Sequence, residues 1–129
     1  MNVLVAVDGS DGSRRALEFA CGLVTRFDAD LSVVHFSDAQ TEATDAILAW
    51  ARETLADADV DAEPELSIQD ISVRPAARAG KAVLELVEEE EYDHVVMSHH
   101  GEGLIQEAIL GSAAKTVLGD ASVAVTVVP

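Results

Sequence analysis

At 129 residues the chain has the length of one domain, and its 49% apolar content suits a sizeable core, yet no apolar run approaches the ~20 residues of a membrane span. Its 24 acids outnumber 8 bases, of which only Lys81 and Lys115 are lysines, for a formal charge of −16. Such a surface repels nucleic acid, whose binding depends on cationic contacts to phosphate. The acids are spread along the chain apart from the run Glu88 to Glu91, as in proteins adapted to high salt, so a halophilic source is expected. The opening MNVLVAVDGS lacks a basic segment and is broken at Asp8, unlike a secretory signal, so a cytoplasmic protein with no membrane partner is expected.

In chain order, five apolar stretches read as strands: Val3–Val7, Leu31–Phe36, Leu66–Val73, His94–Met97 and Val123–Val128. Helical periodicity alternates with them. Ser13 to Phe27 carries Ala16, Ala20, Leu23 and Phe27 on one face, with Leu17 and Val24 beside them. Cys21, the single cysteine, falls in this stretch and reads as a buried structural thiol. Thr41 to Ala56 carries Ala43, Ile47, Trp50 and Thr54. Gly80 to Glu91 carries Val83, Leu86 and Val87, and Ser112 to Leu118 carries Ala113, Ala114, Val117 and Leu118. Asp57 to Glu65, with Pro64, reads as a polar connection, and Arg74–Gly80 (RPAARAG) as a second loop. This alternation predicts a single α/β domain over 1–129, with a parallel sheet covered by helices on both faces. VLVAV, LSVVHF and VAVTVV are apolar on successive residues, as expected for strands covered on both faces. The third strand slips in its pattern around Asp70 and reads as an edge.

Two turns carry chemistry. After the first strand comes VAVDGSDGS, in which Asp8 ends a buried strand, Gly9 and Gly12 permit a tight path, and Ser10 or Ser13 can cap the next helix. Ligands of open α/β sheets sit outside the carboxyl ends of strands near the switch point of strand order, so Asp8 is placed to touch one. After the fourth strand comes Ser98-His99-His100-Gly101-Glu102-Gly103, then Gly111-Ser112 opening a helix. Backbone N–H groups at such a helix start attract anions, and the Ser112 hydroxyl adds a donor. No Gly-Lys-Ser/Thr follows, so this is not a P-loop. His99 and His100 are adjacent and diverge along most backbones, and no spaced partner pattern accompanies them. They are therefore candidates for phosphate hydrogen bonds, with no metal held by protein alone. His35 and His94 read as core or strand-end residues. Arg14 and Arg15 could draw phosphate toward Gly9, or Arg14 could pair with Glu18 at i,i+4. No Ser-His-Asp or Cys-His set is apparent, and no general base stands out.

VAVDGSDGSRRAL resembles the opening of universal stress proteins, LSVVHF their second strand, DHVVMS their fourth and ASVAVTVVP their last. Nucleotide-binding members carry Gly-x2-Gly-x9-Gly-Ser/Thr, and here the pattern reads Ser98-x2-Gly101-x9-Gly111-Ser112. The resemblance implies a three-layer, Rossmann-like fold with an open parallel five-stranded sheet of order 3-2-1-4-5. It implies a homodimer, and an adenine nucleotide (ATP or AMP) between strands one and four. By carry-over, Asp8 faces the nucleoside, flanked by Ala6, Val7 and Ser10, and Phe36 offers backbone groups near adenine. Met97 lines the base or ribose, while Gly101, Gly111, Ser112 and Ala113 cradle ribose and phosphates.

Two departures matter. Ser98 stands in place of the first glycine, and Glu102 occupies a position where relatives often carry a basic residue. A carboxylate beside polyphosphate opposes binding unless magnesium bridges them. A regulatory, stress-responsive nucleotide binder with at most slow ATP hydrolysis is the leading expectation. The alternative is a scaffold without nucleotide, acting through dimer or partner contacts. A phospho-receiver domain is disfavoured, because the third strand leads into RPAARAG and the fifth ends the sequence. In order 3-2-1-4-5 the fifth strand is an apolar edge, so a dimer through antiparallel pairing at Val123, Val125 and Val127 is expected.

Overall fold

The computed structural model describes residues 1–68, 75–99, 112–120 and 122–129, with the backbone alone described for 75–79 and 112–115. Among the described residues nine elements alternate: β1 (Asn2–Ala6), α1 (Asp11–Phe27), β2 (Asp30–Ser37), α2 (Glu42–Asp57), β3 (Glu65–Ile68), α3 (Pro75–Glu90), β4 (His94–Ser98), α4 (Ser112–Asp120) and β5 (Ala124–Val128). The strands form one parallel sheet in the order β3-β2-β1-β4-β5. The expected fold class and the edge position of the third strand both hold.

Side-chain alternation along each strand divides the core in two. Val3, Val5 and Val7 of β1 and its extension, Leu31 and Val33 of β2 and Val96 of β4 meet Ala16, Leu17, Ala20 and Val24 of α1 and Ala51 and Leu55 of α2. On the other face, Leu4, Val34, Phe36, Val95 and Met97 meet Ala82, Val83 and Val87 of α3 and Val117 of α4. Val3, Val5, Val95 and Val96 are wholly buried, and each such side chain contributes about 1.5–3 kcal/mol through burial. The central strands are thus apolar on both faces because helices cover both.

Several boundaries differ from the sequence reading. Helix α1 starts at Asp11, because Ser10 is the N-cap and accepts a hydrogen bond from the Ser13 N–H at 3.1 Å. Helix α3 starts at Pro75, so Pro75–Gly80 is helix rather than loop. Proline suits the first helical position, and the alanines and arginine behind it are strong helix formers. Phe27, expected on the buried face of α1, is 67% exposed. The buried stripe of α2 is Thr44, Leu48, Ala51 and Leu55, one residue on from the expected one, with Ile47, Trp50 and Thr54 along its margin. Leu118 of α4 is exposed. The expected continuation of the third strand through 69–73 lies outside the described residues.

Candidate functional site

The order of the sheet reverses between β1 and β4. The chain passes from β1 to β2 on one side and reaches β4 on the other, so the carboxyl ends of β1 and β4 flank a crevice. From β1 the wall consists of Ala6, Val7 and Asp8. From β4 it consists of Met97, Ser98 and His99.

Local hydrogen bonds build the first wall. The Val7 N–H donates to the Val34 carbonyl at 2.9 Å, continuing the β1–β2 ladder past Ala6. The Val7 carbonyl accepts from Nδ1–H of buried His35 at 2.7 Å, which places that proton on Nδ1. One residue on, the Asp8 Oδ1 accepts from the Ser10 N–H at 2.9 Å, an Asx-type turn that folds the chain back on itself. The Ser13 hydroxyl donates to the Ser10 carbonyl at 3.1 Å and accepts from the Asp8 N–H at 3.3 Å. Gly9 lies at φ +82°, a conformation that side chains rarely adopt, and a Cβ there would stand 3.1 Å from Cγ1 of Ile47. The turn is therefore held from below by Ser13 and from the side by α2. Asp8 and Ser10 remain half-buried at its rim.

The second wall is set by β5. Ser98 stands in register with Val128, and the His99 N–H donates to the Val128 carbonyl at 2.6 Å. Met97 is buried beneath, in the same cluster as Phe36 at the end of β2. Ser98 and His99 are half-buried.

Ala6, Val7, Asp8, Ser10, Met97 and Ser98 are thus gathered at the carboxyl edge of β1 and β4, with Phe36 at the end of neighbouring β2. Ser112 and Ala113 open α4, where their backbone alone is described. His100, Gly101, Glu102 and Gly111 lie outside the described residues. His35 and Ile47 are the supports that the sequence reading leaves out of the site. A histidine in an apolar strand and an isoleucine on a helix margin carry no signal of that role.

Arg14 pairs with Asp11 at 3.2 Å, an exposed i,i+3 contact, in place of the expected Glu18. The Asp11 carboxylate in the first turn also complements the helix dipole. The Arg15 Nε–H donates to the Pro129 carbonyl at 2.7 Å. His94 hydrogen-bonds Thr126 on the neighbouring strand at 2.7 Å. Among the described residues no group of three or more His, Cys, Asp or Glu could hold a metal ion. A groove of about 480 Å³ lies elsewhere, between the carboxyl halves of α1 and α2, lined by Glu18, Cys21, Gly22, Thr25, Arg26, Thr54, Asp57 and Ala58. No described helix is long and apolar enough to cross a membrane.

The model of the universal stress protein family matches residues 1–129. A universal stress protein A homolog from Pasteurella multocida is 30% identical over 99% of this chain and 95% of its own length. A universal stress protein solved in complex with cAMP superposes with a TM-score of 0.78 at 23% identity, covering 100% of this chain and 97% of that one. The universal stress protein from Archaeoglobus fulgidus in complex with dAMP gives 0.74 at 22% identity, over 100% and 98% of the two chains. At such identities these two likenesses concern the fold.

Proposed function

The chain belongs to the universal stress protein family, and from that membership we propose that it is a regulatory protein binding an adenine nucleotide, ATP or AMP, in the crevice between β1 and β4. The observation that carries this reading is the Asp8–Ser13 turn, fixed at the point where strand order reverses, with Ser98 across from it. Relatives of the same fold hold cAMP and dAMP, which supports adenine as the recognised base. In this reading Ala6, Val7 and Phe36 present backbone to the base, Asp8 faces the nucleoside with Ser10 at the rim, and Met97 packs beside the ribose or base. Gly101, Gly111, Ser112 and Ala113 cradle the phosphates, with His99 and His100 as hydrogen-bond donors. Magnesium links Glu102 to the phosphates, and any hydrolysis is slow and incidental to binding. The protein works as a cytoplasmic homodimer paired through β5.

Calorimetric titration with ATP and AMP at high salt, with and without magnesium, tests the site. Gly111→Val should abolish binding with the fold intact. Ser112→Ala should weaken it by about 1 kcal/mol, the worth of one hydrogen bond. Glu102→Arg should tighten ATP binding and lessen its need for magnesium. No binding by wild type or Glu102→Arg with magnesium present would leave the scaffold reading standing instead.

A further inference from the structure

The two ladders that hold β2 end at different heights. Toward β1 the pairing stops at Ala6–Val34, whereas toward β3 it runs on through His35–Leu66 and Phe36–Ser67 to Ser37–Ile68. Backbone N–H and C=O groups along an inner strand face its two neighbours in turn. Val34 faces β1, since its carbonyl accepts from the Val7 N–H at 2.9 Å, so Phe36, two residues on, turns its N–H and carbonyl the same way. A regular next rung would run from the Phe36 N–H to the Val7 carbonyl. That rung is not made, because the ladder is already over at Ala6–Val34. Phe36 is nevertheless buried.

What takes the Val7 carbonyl instead is the Nδ1–H of buried His35, at 2.7 Å. By alternation with Leu31 and Val33, the His35 side chain stands on the face of the sheet that α1 and α2 cover. A carbonyl aimed at that ring is tilted out of the plane of the sheet, away from the line a rung would follow. A carbonyl oxygen has two lone pairs and can serve two donors, so the missing rung is a matter of direction rather than capacity. With its N–H on Val34 and its carbonyl on His35, Val7 has no donor left to offer a ligand. Phe36 has both backbone groups aimed past the end of β1, where the Asp8 turn begins. A buried N–H without a rung calls for another acceptor, since buried backbone donors are rarely left unmet.

We propose that His35 is a positioning residue of the nucleotide site: by drawing the Val7 carbonyl out of the ladder, it keeps the Phe36 N–H open for an acceptor nitrogen on the edge of the bound base. The inference rests on the adenine-nucleotide reading given above. It accounts for a polar ring in a strand whose other positions on that face, Leu31 and Val33, are apolar. A leucine at position 35 would fill similar space and offer the Val7 carbonyl nothing. The carbonyl would then fall back onto the Phe36 N–H, and the sheet would gain a rung at the edge that the base needs. The Phe36 carbonyl shares that edge. An acceptor ring nitrogen beside a donor amino group, as adenine carries, complements the pair. His35 touches no part of the base in this arrangement and acts through Val7 and Phe36.

Amide hydrogen exchange followed by NMR, together with calorimetric titration of AMP at 2 M KCl, tests the proposal. In free wild type the Phe36 amide should be at least about tenfold less protected than that of Val34, which lies within the ladder, and saturating AMP should protect it. His35→Leu should raise Phe36 protection roughly tenfold without AMP, as the rung forms. It should also raise the AMP dissociation constant roughly five- to tenfold, for one hydrogen bond lost. His35→Asn sets an amide N–H near the place of the Nδ1–H and should restore both quantities toward wild type. A purely structural role would weaken AMP binding in both variants and leave Phe36 protection where it was, and that result overturns the proposal. So does a Phe36 amide as well protected as that of Val34 in free wild type, a measurement that needs no variant to fold. If wild type binds no AMP, the nucleotide reading fails and the proposal loses its ligand. Phe36 protection that still rises in His35→Leu would then place the failure in that reading and not in the ladder.

Discussion

Gly9 is the residue at which the candidate site constrains the backbone most tightly. Its φ of +82° suits glycine, and an added methyl would press on Ile47 at 3.1 Å. Gly9→Ala should therefore lower stability by about 1–2 kcal/mol in urea unfolding, chiefly through the backbone. Adding Ile47→Ala should not restore it, because φ stays positive; full recovery would mean that the contact with Ile47 sets the cost. Cys21 gives a second test at this scale. Burial raises its thiol pKa, and the nearby Glu18 carboxylate pushes it further in the same direction. The folded state thus disfavours thiolate more than the unfolded chain does. The stability linked to this group is fully present below the ordinary thiol range and is lost as pH rises through the raised folded value. Alkylation by iodoacetamide at pH 8 should be much slower in the native protein than in urea. Equal rates would show that the thiol is open to reagent.

Helix α2 shows where periodicity misleads. Ala43, Ile47, Trp50 and Thr54 are spaced as a buried face, but the core takes Thr44, Leu48, Ala51 and Leu55. Apolarity alone ranks Ile47 and Trp50 above Thr44, yet Thr44 is only 4% exposed because it is half of a reciprocal cap. Its hydroxyl accepts from the Thr41 N–H at 2.8 Å, while its own N–H donates to the Thr41 hydroxyl at 3.2 Å. Thr44→Val keeps the shape and removes the acceptor, so it should cost about 1 kcal/mol in thermal or urea unfolding, whereas exposed Ala43→Val should change little. A neutral Thr44→Val would mean that the cap adds nothing to the packing. Strands are more legible than helix faces, because β1, β2 and β4 each hold neighbouring apolar residues that point to both faces, and such runs need no phase to be found. The Asp8 turn is legible for a similar reason: Asp, Gly and Ser each have few roles at the end of a strand. The start of α3 escapes a sequence reading because Pro75 and Gly80 look like breakers, although proline is at home in a first turn. The His35 support is illegible, since a hydrogen bond to Val7 links positions distant in sequence and only the β1–β2 register brings them together.

For the whole molecule, the largest imbalance that local structure leaves uncompensated is charge. The formal charge is −16, and among the described residues the ion pairs are Arg14–Asp11 and Arg52–Glu63, both exposed and so worth little each. The least favourable cluster lies at the end of α3. Its last turn holds Glu88, Glu89 and Glu90 with no basic residue, so these carboxylates face the negative end of the helix dipole as well as one another. In dilute salt that arrangement should destabilise the fold. At 1 M salt the Debye length of about 3 Å is shorter than the spacing of most such charges, and the penalty should fade. The melting temperature is therefore expected to rise by several degrees between 0.1 and 2 M KCl. Salt also strengthens apolar burial, so a rise alone does not identify its cause. Glu89→Lys separates the two effects. It replaces an exposed carboxylate with a cation at the helix terminus and changes little apolar area. At 0.1 M KCl it should stabilise the protein by about 0.5–1 kcal/mol, and at 2 M KCl the gain should nearly vanish. A gain that persists at 2 M would assign it to side-chain packing or helix propensity. No gain at 0.1 M would mean that the acidic end of α3 is already relieved by other groups.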